Sequence, residues 1–424
     1  MTPVHPQVRR RHVFFLSGFD PKGASHYHAL YKAEALKQSA VSALALHVGP
    51  RRRDVDGNST WGVIADLPQG GRCETTYEFA RWDDIVRGHW PRSAWRLFRD
   101  LVVACALAFR SGALATVWKV SRRTLVGLAY PLLVLGGSVG LSVALGLWFA
   151  TALVSAPYGA DVAGAGAMRW MIAGAGGLLL LGMGLACTRW LEARLNTTWL
   201  VRIFSFTGKL AGGQTPELQT RLDHVADKLA KKIHANEVDE ILVVGFSVGS
   251  ILAVSVVARA LRALGGQGAD CPIGPEAMQW PNPQPARGPA ALSLLTLGHC
   301  IPMLGLLPQA GVFREELALL SQASSVRWLD FSSLTDWGSF AMVDPVKVCN
   351  VLPDAPSGIF EAVNPSMRSP RFHALFAPAS YVRLRRNKRR MHLQYLMAGE
   401  IAGEYDYFAI TAGALNLAAR YPGR

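Results

Sequence analysis

Two long stretches without charged side chains limit what this chain can fold into. The first covers residues 124–160, and its part from 125 to 154 consists mainly of Leu, Val, Gly and Ala; the second covers 170–188. A helix needs about 20 apolar residues to cross about 30 Å of hydrocarbon. The sequence therefore predicts two transmembrane helices, at 125–154 and 169–188, that form a hairpin.

The charges around the hairpin predict its orientation. Arg and Lys are frequent between positions 92 and 123 and again between 189 and 202, whereas the loop at 157–167 contains Asp161 alone. The positive-inside rule then puts both long flanks in the cytoplasm and the loop outside. The apolar stretch 101–118 is broken by Arg110, so we expect an interfacial or re-entrant helix there, or else a third span. The apolar run 13–16 is too short for the core of a signal peptide.

Outside the hairpin, short apolar runs alternate with helical patterns. Strands are predicted at 12–16, 43–48, 61–65, 75–79, 240–244, 292–297 and 326–331, and helices at 217–234 and 250–261. A further strand is expected at 405–410. This alternation is typical of an α/β fold with a mostly parallel sheet and helices on both faces. Residues 1–98 and 201–424 would form one domain, interrupted by a membrane insertion at 99–200.

The chain is basic, with 44 Lys and Arg against 30 Asp and Glu and a net charge of +14. The densest basic run begins at Arg383 and ends at Arg390. No zinc-finger, RRM or basic-zipper spacing accompanies it, so we expect no nucleic-acid partner and interpret the run as attracting anionic lipid headgroups. No cofactor or metal is expected, since the six cysteines include no C-x-x-C pair. They are Cys73, Cys105, Cys187, Cys271, Cys300 and Cys349.

Two segments match the pattern G-x-S-x-G of an activated serine. GGSVG contains Ser138 inside the first predicted span, where Gly136 and Gly140 favour close helix packing in lipid. GFSVG contains Ser247 between a buried-type strand and an apolar helix. A strand, a tight turn and a helix are what expose a nucleophilic hydroxyl at the edge of a sheet. Context therefore favours Ser247.

With GFSVG and its flanking elements, the chain resembles the α/β-hydrolase superfamily, in particular serine esterases and lipases, as a membrane-anchored bacterial-type member. The likeness covers residues 12–50 and 215–410, and the hairpin has no counterpart in the common fold. The resemblance implies an acid after a later strand and a histidine nearer the C-terminus. Together with the orientation predicted from the flanking charges, it favours a cytoplasmic domain on a bacterial inner membrane.

The resemblance leaves the acid and the base open between two residues each. Asp336 follows the strand 326–331 and is the preferred acid, with Asp344 as the alternative, while Asp330 lies within that strand. His392 is the preferred base because the surrounding sequence looks ordered, and His373 is the alternative. His299 precedes the acid and would break the expected order, so we interpret it as structural or pocket-lining.

An oxyanion hole needs two backbone N–H donors. The amide of Val248, directly after the nucleophile, is one candidate. The other is the amide of Phe19 in the loop after the first strand, where a single Gly18 replaces the H-G-G-G sequence of many lipases. A plain Gly/Pro turn is the competing interpretation of this loop.

The sequence thus predicts a membrane-anchored serine hydrolase that cleaves an ester, either a small molecule or a lipid-derived compound, through an acyl-enzyme. Ser247 attacks, His392 transfers the proton and Asp336 orients the imidazole. Two alternatives stay open: an acyltransferase that uses the same residues, and a membrane scaffold with a catalytically silent hydrolase fold.

Overall fold

A computed structural model describes residues 7–68, 70–90, 93–120, 122–155, 165–195, 197–265, 289–352 and 362–423. The chain divides into two compact units. The first comprises Met1–Trp90, Leu107–Thr124 and Phe206–Arg424, and the second comprises Pro91–Ala106 and Leu125–Ser205. Cys271 and most of the loop predicted at 157–167 lie outside the described residues.

The described part of the first unit contains one mixed sheet. Its strands are β1 Arg10–Leu16, β2 Ala45–Val48, β3 Arg52–Arg53, β4 Ser59–Asp66, β5 Arg72–Phe79, β6 Glu240–Phe246, β7 Ala291–Leu297, β8 Val326–Phe331 and β9 Ser366–Arg368. The order across the sheet is β2-β4-β5-β1-β6-β7-β8-β9, with β3 paired to β4. Neighbours from β5 to β9 are parallel, whereas the pairs that involve β4 are antiparallel. The prediction of a mostly parallel sheet is confirmed.

Helices occupy much of the remaining chain. They are α1 Ala24–Val41, α2 Asp83–Gly88, α3 Ala94–Arg110, α4 Ala113–Val120, α5 Arg122–Pro131, α6 Gly137–Ser155, α7 Ala165–Leu195, α8 Thr197–Ala211, α9 Pro216–Ala235, α10 Gly249–Gly265, α11 Ile301–Gly305, α12 Gly311–Gln322, α13 Pro345–Val348, α14 Pro378–Arg386, α15 Lys388–Leu393, α16 Tyr407–Ala412 and α17 Leu417–Arg420. A π-helical turn covers Leu132–Gly136, and 3₁₀ turns cover Phe372–Ala374 and Gln394–Leu396.

The central strands are buried on both faces. Alternate residues of a strand point to opposite sides of the sheet. Phe15 of β1 packs in a core cluster with Tyr27 of α1 and Phe408 of α16, and the preceding Phe14 is also fully buried. All seven residues of β6 are buried. Continuous apolar runs of this kind fit parallel strands that are covered on both sides.

The parallel register brings the carboxyl ends of four strands to one edge. Leu16 of β1 pairs with Gly245 of β6, and Leu297 of β7 pairs with Phe331 of β8. Phe246 in turn pairs with Leu297. The loops that follow β1, β6, β7 and β8 therefore start side by side, which is where ligands bind in open parallel sheets.

One predicted element is wrong. Residues 405–410 are rich in aromatic and apolar side chains, as a strand would be, but Tyr407–Ala412 forms α16. The Asp406 carboxylate accepts hydrogen bonds from the Phe408 and Ala409 amides at 2.9 Å each. A side chain that satisfies the first amides of a helix in this way favours helix initiation. Local capping here outweighs the strand-like pattern.

The second unit contains two helices long and apolar enough to cross a membrane, Leu133–Ser155 and Gly166–Glu192, as predicted. Large apolar side chains on both are exposed, among them Trp148 at 67% and Leu178 at 70%. Exposed apolar surface on this scale is typical of lipid-facing helices. The first span is shorter than the predicted 125–154, and its first residues belong to the π-helical turn Leu132–Gly136.

The two helices approach each other closely, but away from the predicted glycines. A Cβ atom built on Gly146 would lie 2.9 Å from the Gly177 carbonyl oxygen, and Gly177 has the reciprocal contact with Gly146 at 3.0 Å. No described atom lies within 4 Å of such a Cβ on Gly136 or Gly140. The close packing that we predicted at Gly136 and Gly140 is therefore wrong and occurs at Gly146 instead.

The apolar stretch 101–118 does not form a single helix. α3 ends at Arg110 and α4 begins at Ala113, with a bend of 74° between them. Gly112 at the break has a φ of +69°, a left-handed conformation that glycine adopts readily. Counted as one bent segment, the pair would make a third apolar span.

Candidate functional site

Ser247 occupies a sharp turn between a strand and a helix. β6 ends at Phe246, and α10 starts at Gly249. Ser247 has a φ of +56°, in the left-handed region that residues other than glycine rarely adopt. Its amide donates to the Leu297 carbonyl at 2.9 Å, which ties the turn to the end of β7. The strained turn predicted for GFSVG is present.

The glycines on either side of Ser247 make this turn sterically possible. A Cβ on Gly245 would lie 2.7 Å from both the Ala253 Cβ and the Gly249 carbonyl oxygen. A Cβ on Gly249 would collide with the carbonyl oxygen of Leu16, at the end of β1. Both positions thus require glycine because the strand, the turn and α10 approach so closely.

Asp336 and His392 form a buried hydrogen-bonded pair. The His392 Nδ1 atom lies 2.9 Å from Asp336 Oδ2, and their side chains are only 7% and 1% exposed. Asp336 lies in the loop after β8, and His392 lies on α15. A carboxylate bonded to Nδ1 fixes the tautomer and the orientation of the ring, so that Nε2 is the basic nitrogen.

Two further donors hold the Asp336 carboxylate. The Tyr395 hydroxyl donates to Oδ2 at 3.1 Å, and the Gly338 amide donates to Oδ1 at 2.9 Å. Tyr395 Oη in turn accepts the Ser333 amide at 2.8 Å. Burial alone would raise the pKa of Asp336, but the adjacent His392 and the hydrogen bonds outweigh it and lower the pKa below its ordinary value. The carboxylate is therefore ionised at neutral pH.

Ser247 lies next to the loops that surround this pair. Its Oγ atom is 3.7 Å from the Cys300 Sγ atom, which in turn lies 3.5 Å from the Gly338 carbonyl oxygen. A Cβ on Gly338 would lie 3.0 Å from His392 Nδ1. The ring of Phe246, the residue before Ser247, has its centroid 5.0 Å from that of His392. The serine and the pair thus occupy one neighbourhood at the sheet edge.

Both candidate oxyanion donors lie beside Ser247. Val248 follows it directly and is fully buried at the start of α10. A Cβ built on Gly18, the residue before Phe19, would be 3.1 Å from Ser247 Cβ, so the loop after β1 passes close to the serine. The Phe19 ring stacks on Trp90 and fixes this loop. The assignment of the two amides to an oxyanion hole stays a prediction.

The structure places the alternative acid and base elsewhere. Asp344 caps α13, where its carboxylate accepts the amides of Val346 and Lys347 at 2.9 and 3.3 Å. His373 is exposed in a 3₁₀ turn, with its ring 6.3 Å from that of Tyr381. Neither is part of the buried Asp336 and His392 pair.

The other residues that we weighed have structural surroundings. His299 is fully buried; its carbonyl oxygen accepts the Phe340 amide at 3.0 Å, and neither ring nitrogen has a hydrogen-bond partner among the described residues. Asp330 is buried within β8, where Thr296 donates to it at 2.7 Å, and burial raises the pKa of its carboxyl. The interpretation of His299 as structural or pocket-lining stays a prediction.

Sequence reasoning missed three residues of this site. Tyr395 follows His392 by one helical turn, a spacing that indicates a shared face but no particular partner. Cys300 lies in the loop after β7, at the carboxyl edge of the sheet. Burial raises the pKa of its thiol to about 12. Gly338 follows Asp336 by two residues in a short turn, which is a common place for an amide that binds a carboxylate.

The basic run ends within α15, the helix that carries His392. It covers the last part of α14 and the first part of α15, and its residues are exposed except for Leu384. Lys388 lies over the ring of Trp337 with its Nζ atom 4.2 Å from the centroid, a cation–π contact. Trp337, directly after Asp336, is 44% exposed. Cationic and aromatic groups thus meet beside the buried pair.

The described residues contain no group of three or more His, Cys, Asp or Glu side chains that could hold a metal ion. Comparison with known protein families, with curated proteins and with solved structures finds no match.

Proposed function

We propose that this protein is a membrane-anchored serine hydrolase of the α/β-hydrolase type that cleaves an ester through an acyl-enzyme. The observation that carries the proposal is the hydrogen bond between His392 and Asp336 at the sheet edge where Ser247 occupies its left-handed turn. A basic histidine oriented by a carboxylate is what a serine hydroxyl needs in order to become nucleophilic.

The chemistry would proceed in two steps. Ser247 Oγ attacks the ester carbonyl while His392 Nε2 takes the hydroxyl proton, and the tetrahedral intermediate collapses when His392 returns that proton to the leaving alcohol. Water, deprotonated by His392, then attacks the acyl-enzyme. His392 returns that proton to Ser247 Oγ as the second tetrahedral intermediate collapses, which releases the acid and free Ser247. Asp336 stabilises the imidazolium in both steps. The amides of Val248 and Phe19 would bind the oxyanion.

An amphiphilic ester is the substrate class that the surroundings favour. The second unit has two apolar helices long enough to span a membrane. Apolar side chains near the Asp336 loop are exposed, with Leu334 at 54% and Trp337 at 44%, and cationic side chains lie beside them. A surface of this composition suits a substrate with an acyl chain and an anionic headgroup. The flanking charges favour a cytoplasmic location for the sheet.

Labelling with a fluorophosphonate probe tests the proposal. We expect the full chain in detergent micelles to form a covalent adduct on Ser247, and Ser247→Ala to abolish it. Ser138→Ala is the matched control, since Ser138 has the same sequence pattern but donates to the Leu135 carbonyl at 3.2 Å within a helical segment. A folded preparation that does not react, or one that reacts equally after Ser247→Ala, would contradict the proposal.

The burial of Ser247 favours a second candidate, a catalytically silent scaffold. The residue is only 2% exposed, and its hydroxyl lies beside the Cys300 thiol. In that case neither labelling nor ester cleavage occurs, while the fold and the membrane anchoring are retained. An acyltransferase would label at Ser247 but would transfer the acyl group to an added alcohol faster than to water, so product analysis separates it from a hydrolase.

A further inference from the structure

A small polar cavity lies beside the helix that carries His392. It has a volume of about 270 Å³ and is bounded by residues of α14, of α15 and of the segment that follows. Its polar lining residues are Ser380, Arg383, Asn387, Arg390, Gln394 and Glu400. The cavity is distinct from the surroundings of Ser247, because none of its lining residues contributes to the contacts of that serine described above.

The charge of this cavity favours an anion. Arg383 and Arg390 contribute two guanidinium groups, against the single carboxylate of Glu400. That carboxylate already accepts the Ala377 amide at 3.1 Å, and Arg383 donates to the Ser380 hydroxyl at 3.0 Å. Guanidinium groups match the geometry of phosphate oxygens and bind them by charge-assisted hydrogen bonds.

Gln394 gives the cavity an unused acceptor. Its Nε2 atom donates to the Ala398 carbonyl at 2.9 Å and to the Met397 carbonyl at 3.3 Å. Because carbonyls only accept, these bonds fix which end of the amide is Oε1. Oε1 is buried and has no hydrogen-bond partner among the described residues. Gln394 lines the cavity, so a ligand donor that displaced the side chains covering Oε1 would remove an unfavourable unpaired group.

We infer that this cavity binds a phosphate ester that carries free hydroxyl groups. The phosphate lies between Arg383 and Arg390, and the hydroxyl groups donate to Gln394 Oε1 and to Glu400. Inorganic phosphate would bind the two arginines but would lack the contacts of the ester's hydroxyl groups with Gln394 and Glu400. A free polyol phosphate and the headgroup of a lipid such as phosphatidylglycerol share the required chemistry.

This site differs from a diffuse attraction between the basic run and a membrane. Such an attraction would depend on every basic side chain of the run to a similar degree. The arginines of the run are all exposed, but only two of them line the cavity. Arg383 and Arg390 are lining residues, whereas Arg385 and Arg386 are not. Substitution of either pair removes the same charge. A comparison of the two double variants therefore distinguishes a specific site from general electrostatic attraction.

Calorimetric titration of the full chain in phosphatidylcholine nanodiscs tests the inference. We expect saturable binding of glycerol 3-phosphate, tighter than that of inorganic phosphate. The double variant Arg383→Ala/Arg390→Ala should weaken binding by about tenfold or more, because charge-assisted hydrogen bonds are lost. Arg385→Ala/Arg386→Ala removes the same charge and should change the affinity by less than about twofold. Ser247→Ala should bind as the wild type does, so this result is independent of the proposed catalysis.

A second measurement shows whether the ligand is a free polyol phosphate or a lipid headgroup. If glycerol 3-phosphate does not bind but native mass spectrometry detects phosphatidylglycerol retained by the wild type and lost from Arg383→Ala/Arg390→Ala alone, the lipid is the ligand and the site stands. If neither compound binds, or if both double variants weaken binding equally, the inference is overturned. If inorganic phosphate binds as tightly as glycerol 3-phosphate, the inference that ligand hydroxyl groups contact Gln394 and Glu400 is overturned. Unchanged thermal melting of the variants shows that they are folded.

Discussion

His392 Nδ1 lies 2.9 Å from Asp336 Oδ2, although the two residues are 56 positions apart in the sequence. Both side chains are almost completely buried, so the bond is shielded from competing water. The contact joins the preferred acid and base candidates, whereas Asp344 caps α13 and His373 is exposed in a 3₁₀ turn. Three predictions test what this pair and its neighbours do, and a fourth concerns the packing of the two apolar helices.

Substitution of His392 should remove the reactivity of Ser247. His392→Ala leaves no base for the hydroxyl proton, and loss of one member of such a catalytic set costs about 10⁴-fold or more in rate. His373→Ala is the control, since that ring is exposed and makes its ring contact with Tyr381. The rate of fluorophosphonate labelling at Ser247 is measured for both variants. Equal losses in the two variants would mean that the base has been assigned wrongly.

The stability that Asp336 provides should depend on pH. The folded protein lowers the pKa of this carboxyl below its ordinary value of 3.8, so the unfolded chain takes up the proton first as the pH falls. The contribution is therefore fully present above the unfolded value and is lost as the pH falls through the lowered one. We expect the difference in unfolding free energy between the wild type and Asp336→Asn to be constant near neutral pH and to shrink below 3.8. Chemical unfolding followed by circular dichroism measures it, and a difference that grows on acidification would contradict the expectation.

Tyr395 should support the acid rather than merely fill space. Tyr395→Phe removes a hydrogen bond to a carboxylate, worth about 1.5–3 kcal/mol, and should raise the pKa of Asp336 and slow labelling of Ser247 by about tenfold. Tyr405→Phe is the matched control, because that hydroxyl is also buried but donates to the Tyr395 backbone carbonyl. Thermal melting should show destabilisation of both variants. If Tyr405→Phe slows labelling as much, the effect is one of stability alone.

Close packing of the two apolar helices should make Gly146 much more sensitive than Gly140 to substitution by a large residue. Gly146→Leu places a large side chain where even a Cβ would lie 2.9 Å from the Gly177 carbonyl oxygen. Overpacking of this kind costs about 1–3 kcal/mol. Gly140→Leu, on the same helix, meets no described atom within 4 Å at its Cβ and should be tolerated. Thermal unfolding in detergent compares them, and similar melting temperatures for both variants would count against the observed packing.

Elements defined by local patterns were predicted well. The apolar runs of β6, β7 and β8 were located almost to the residue, because buried parallel strands need continuous apolar sequence. The two apolar helices followed from the absence of charge. α16 was missed because its capping residue, Asp406, acts through a side-chain hydrogen bond that periodicity does not reveal.

Local sequence was enough to predict the strand, turn and helix around Ser247, since glycine at 245 and 249 is required wherever the backbone approaches so closely. The two apolar helices could likewise be predicted from local sequence. Which carboxylate meets which histidine became visible in the folded chain alone, because the sheet order and the loops after β8 bring Asp336 to α15 while Asp344 caps α13. Contacts between distant residues depend on the path of the chain in space, and no local spacing encodes that path.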